Sequence, residues 1–156
     1  MPSRRAVLAS LSAAVVGGGL AGCSAFASVG GVVRNKEITG KRRTSGGLRD
    51  ETIVSVGLTK SSDEPIMDVA KEWADRFSNP GELHVSTTLN DLLRDEYEEF
   101  GYVIGVCSKD WSGGGDRIGC YTASTRREDF NRAQVGDHVK ASYSDSSIEI
   151  HGVEGT

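Results

Sequence analysis

Apolar and polar residues alternate along most of this chain, and the places where the alternation changes period mark its elements. Residues 51–59 set Ile53, Val54, Val56 and Leu58 among polar neighbours and read as a strand. Residues 32–43 carry Val33 and Ile38 among charges and predict a strand before it, with a turn over Thr44–Leu48. Residues 102–107 and 117–123 look like two strands around the Gly113-Gly114-Gly115 run. Ile148, Ile150 and Val153 alternate with Glu149 and His151 and predict a closing strand.

A helical period shows best over residues 63–77. Ile66, Val69, Ala70, Trp73 and Phe77 make one apolar stripe. Ser62 or Asp63 can cap it, Asp63 and Glu64 suit the positive end of a helix dipole, and Pro65 is tolerated in a first turn. Asn79-Pro80-Gly81 stops it. Leu83–Thr88 reads as a short strand. Residues 90–100 read as an acidic helix with Leu92, Leu93, Tyr97 and Phe100, or as a continuing strand. Val135-Gly136-Asp137-His138-Val139 is a turn-into-strand pattern that recurs in small barrels, including OB-like ones. Five to seven strands with one or two helices predict an α+β domain. Its architecture is a small twisted antiparallel sheet or OB-like barrel, with the 63–77 helix over one face.

The first residues follow a different logic. Arg4 and Arg5 are the only charges before Arg34, and the 16 residues from Ala6 to Ala21 are Ala, Val, Leu, Gly and Ser. A membrane-spanning helix needs roughly 20 apolar residues, and each interior glycine of Gly17-Gly18-Gly19 weakens a helix by about 1 kcal/mol. The run fits the h-region of a secretory signal, with an uncleaved anchor helix as the plainer alternative. Ser3-Arg4-Arg5-Ala6-Val7-Leu8 resembles the twin-arginine export signal, which carries proteins already folded. It departs from that pattern at Val7 and Ala9, and ordinary secretion stays open as the alternative route. Leu20-Ala21-Gly22-Cys23 matches a lipobox, in which the peptide is cut before a cysteine that carries lipid. The pairing of the two motifs resembles the exported lipoproteins of halophilic archaea, over the first 23 residues only. That resemblance implies a signal peptide over 1–22 and a lipidated Cys23. The small, uncharged residues that follow make 23–31 a flexible tether with that cysteine, and the remaining length makes 32–156 one domain. The resemblance further implies an extracytoplasmic, lipid-anchored location at the cell membrane, with another envelope protein as a possible partner.

Charge changes this picture in one respect. Without Arg4 and Arg5 the chain holds 16 basic and 22 acidic residues, a net of −6. Residues 30–50 are net +4 and residues 51–100 net −8. The acidic middle disfavours nucleic acid, as does the implied location. The basic 34–49 stretch reads either as a contact for anionic headgroups or as a solvated hairpin.

With Cys23 given to lipid, Cys107 and Cys120 remain as an even pair, and an exported chain then points to a disulfide. A hairpin centred between Gly113 and Gly114 sets the two cysteines opposite each other, within disulfide reach. Two buried free thiols are the alternative.

Candidate chemistry is thin. His84, His138 and His151 show no metal-ligand spacing, and only His138 and His151 stand to meet, on the closing strands. Gly113–Gly115 lacks the Lys and the helix of a phosphate loop. Asp91, Asp95, Glu96, Glu98 and Glu99 lack the glycine-centred loop of a calcium site and read as a solvated face. Trp111 and Tyr121 flank the glycine turn and form either core packing or a contact surface for a sugar or partner. The expectation is a non-enzymatic binding or structural envelope domain without metal or cofactor. A small-ligand carrier or accessory enzyme is the alternative.

Overall fold

The computed structural model describes residues 27–154. Arg4, Arg5, the Leu20–Cys23 lipobox and the signal segment lie outside the described residues.

One long strand organises the rest. β1 (Val29–Thr44) runs for 16 residues and has partners on both edges. One edge pairs with β4 (Glu99–Ser108) over Val32–Lys41. The other edge is shared. Val29–Val32 pair with β6 (His138–Ser144), and Asn35–Thr44 pair with β2 (Gly47–Thr59). β5 (Gly119–Thr125) follows β4, and β7 (Ser147–Val153) lies between β5 and β6. The circuit β1-β4-β5-β7-β6 therefore returns to β1 and closes a five-stranded barrel. Counting barrel strands alone, the order is first, second, third, fifth, fourth. A short helix, α2 (Arg127–Arg132), sits between the third and fourth. This is the Greek-key order of an OB-like barrel, so the α+β small-barrel class read from the sequence holds.

Serving three partners bends β1. Its register against β4 slips at Arg34, and against β2 it slips beside Ile38. Such bulges add one residue and turn the following side chains to the other face. Val33 points inward, and beyond the slip it is Lys36, Ile38 and Gly40 that are buried. Tyr97 packs over Gly40, where an added Cβ would come within 2.5 Å of its ring.

Between the first and second barrel strands the chain inserts β2, β3 (Ser62–Val69), a 3-10 turn at Lys71–Trp73 and α1 (Thr87–Glu96). β3 replaces the helix expected over 63–77. Pro65, Met67 and Val69 turn partly inward and pair along β2, while Ile66 is 58% exposed. The would-be cap serves a turn instead, for the Ser62 hydroxyl accepts from the Glu64 amide at 3.0 Å. The uncovered edge of β2 supplied a ladder partner, and tertiary pairing outweighed local propensity. Pro65, Asp63, Glu64 and Asp68 then blunt the outer edge of β3. Trp73 and Phe77 are buried as the stripe implied.

Three smaller expectations also shift. Leu83–Thr88 makes no ladder; side chains hold it, with the Val85 amide donating to Asn131 Oδ1 and Asn131 Nδ2 donating to Val85 O, both at 2.8 Å. The acidic helix starts earlier and ends at Glu96, capped by Ser86, whose hydroxyl accepts from the Leu89 amide. Val29–Gly31 belong to β1 and not to the tether. The Cys107–Cys120 disulfide is formed, with the two residues directly paired and their Cα atoms 4.1 Å apart. Gly113, Gly114 and Gly115 all have positive φ, which only glycine adopts without strain.

Candidate functional site

At the N-terminal end of β1 the barrel wall opens into a cleft of about 770 Å³. Gly30, Gly31, Val32 and Arg34 form one side, and Cys107, Ser108 and Cys120 form another. Lys109, Asp110, Ile118, His138 and Glu154 complete the lining. Local sequence explains the shape. A Cβ at Gly31 would meet Cys107 O and Val106 Cγ1 at 2.8 Å, so glycine lets β1 run close against β4. The Ser108 hydroxyl donates to Gly30 O at 2.6 Å and accepts from the Asp110 amide at 3.1 Å, which fixes the 3-10 turn Lys109–Trp111 at the rim. The lining is mostly carbon, with the disulfide adding apolar sulfur. Charges of both signs stand around it: Arg34 and Lys109 against Asp110 and Glu154.

Trp111 and Tyr121, singled out from the sequence, do meet, edge to face at 5.1 Å. Tyr143 is the third member, stacked on Tyr121 at 4.1 Å and 6°. Their partners are one another, so packing accounts for the cluster. Tyr121 keeps 39% of its surface exposed beside it. Nothing in the local sequence marked Tyr143, because it arrives from β6 across the barrel.

The histidines do not converge. His138 lines the cleft, His151 Nε2 lies 2.7 Å from the Ser142 hydroxyl on the neighbouring strand, and His84 is exposed. Among the described residues no group of three His, Cys, Asp or Glu side chains is placed to hold a metal. The acidic residues disperse as well. Glu98 pairs with Arg43 and Glu99 with Lys41, while Asp91 pairs with Arg94. Arg42 lies against Glu51 and Glu72 and over the Tyr97 ring. The cations at 41–43 thus answer carboxylates within the fold.

Sequence reasoning missed Lys36. It is fully buried, and its ammonium donates to Leu83 O and Ala133 O at 2.8 Å and to Gln134 Oε1 at 3.1 Å. The Phe130 ring lies 4.2 Å away. All three N–H groups are used. Burial pushes the amine down to about 7, and the Asp137 charge pulls against that. An amine with such a pKa can act as a base or nucleophile, but Lys36 lines none of the cleft and faces no solvent. It ties the 83–85 segment and the end of α2 to the barrel.

Among the described residues no helix is long and apolar enough to cross a membrane. No family model matches the chain, and neither a curated protein nor a solved structure matches it.

Proposed function

We propose that this chain is an extracytoplasmic lipoprotein, a non-enzymatic binding domain held to the membrane through lipid on Cys23. The observation that carries the reading is the order of parts: Leu20-Ala21-Gly22-Cys23, five residues, then β1. The formed Cys107–Cys120 bond supports it, since such bonds persist in oxidising compartments. One lipid chain binds marginally and two bind stably, so a two-chain lipid would hold the domain without a protein span. A partner in the envelope and a structural role there both suit such a domain.

The intact mass of protein extracted from its own membrane tests this. The expected species begins at Cys23 and carries a lipid mass. A Cys23→Ser variant is expected in the soluble fraction. Retention of that variant after a carbonate wash, or an unmodified Cys23 in the membrane-bound protein, overturns the proposal. The cleft favours a second reading, a small-ligand carrier, over an accessory enzyme, because His138 stands in it without His151.

A further inference from the structure

We infer that the cleft at the start of β1 holds the hydrocarbon chain of a bilayer phospholipid from the leaflet beneath the domain. This rests on the anchoring proposed above, which brings the cleft to the bilayer. Ser24 to Ser28 are the only residues between Cys23 and β1. Extended chain advances at most about 3.5 Å per residue, so Val29 stands within about 20 Å of the lipidated cysteine. Gly30 and Gly31, one and two residues further, already line the cleft. The tether therefore sets the cleft beside the bilayer surface.

The lining suits a hydrocarbon chain. Gly30, Gly31, Val32, Ile118 and the disulfide supply carbon and sulfur, and Ile118 is 59% exposed. Covering it removes apolar surface from water. The volume of about 770 Å³ lies in the usual range of small-ligand sites. Arg34 and Lys109 offer a headgroup phosphate two cations, and the Asp110 and Glu154 carboxylates of the same lining suit the ammonium of a zwitterionic headgroup. Two other exposed large apolar residues, Leu48 and Ile66, belong to the β2–β3 insertion and line no part of the cleft. They serve as internal controls.

The test uses the full-length protein matured in its own membrane, then reconstituted into phospholipid vesicles. A fraction of the phospholipid carries a diazirine in its hydrocarbon chain. After illumination, adducts are mapped by peptide mass spectrometry. They are expected on Gly30–Val32 and Ile118, with Leu48 and Ile66 unlabelled. Gly30→Leu fills the cleft at a position where an added Cβ meets nothing within 4 Å. It is expected to lower cleft labelling about tenfold, the loss of one strong apolar contact. Ile118→Ser, outside every strand, is expected to act in the same direction and guards against a folding defect in the first variant. The inference fails if an anchored protein shows no cleft adducts, as it would with the Cys23 lipid itself in the cleft. It also fails if Leu48 and Ile66 label equally, or if both variants label like wild type. A protein that leaves the vesicles in carbonate yet keeps its cleft adducts overturns the anchoring alone.

Discussion

Lys36 and Lys41 lie on one strand, five residues apart, and the fold treats their charges in opposite ways. Lys41 is about half exposed and meets Glu99 at 3.2 Å, one of a row of hairpin cations facing carboxylates. Lys36 is buried and meets only neutral oxygens and a ring. Water screens the first and makes it replaceable. Nothing screens the second, so the chain is organised around it. Backbone carbonyls from residues 83 and 133, distant in sequence, are held in place by two of its three N–H groups.

The contrast breaks first at Lys36. Lys36→Ala takes a donor from three acceptors, leaves Ala133 O without its side-chain partner, and opens a void beneath Phe130, a loss of about 3–5 kcal/mol. Lys36→Met keeps the volume and loses less. Denaturant unfolding measures both. The same residue sets a pH dependence. Its folded pKa, about 7, lies below the ordinary 10.5, so between those values the unfolded chain binds the extra proton. Stability therefore rises as pH goes from 7 towards 10, by on the order of a few kcal/mol at most. Lys36→Met removes that slope. Above pH 10 buried Tyr97 and Tyr102, both raised, reverse the trend. A midpoint that is flat from pH 7 to 10 in the wild type would refute the assignment.

At the cleft end, reducing the Cys107–Cys120 bond releases a loop with a sequence separation of 13 residues. The expected loss is about 3 kcal/mol in the chain-entropy model, read as a shift of the unfolding midpoint with and without reductant. Smallest is Lys41→Gln. Its pair with Glu99 is exposed, and its removal is expected to cost no more than about 1 kcal/mol. A loss matching that of Lys36→Ala would erase the distinction between the two lysines.

The alternation of β1, β2, β4 and β7 was legible because each buries one face. The disulfide was legible because Cys107 and Cys120 are symmetric about the glycine turn. Lys36 was hidden by the bulge at Arg34. In a regular strand Val33 and Lys36 lie on opposite faces, and a lysine among charges reads as exposed. α2 was missed because six residues with Phe130 as their one large apolar side chain show no period. Over 63–77 two periods fitted the same residues, and the open edge of β2 decided between them. The cleft gathers residues from both ends and the middle of the domain, so no local window contains it.

The pairing of Val29–Val32 with His138–Ala141 joins segments more than 100 residues apart. Contacts of such sequence separation form slowly, because the intervening loop must close before they contribute. The barrel cannot shut until β6 and β7 have been synthesised, and β1 must wait with part of one edge unpaired. A chain translocated while still growing would have to keep that edge protected throughout its passage. One that folds before it crosses has no such interval on the far side, which is the order of events a twin-arginine route would provide.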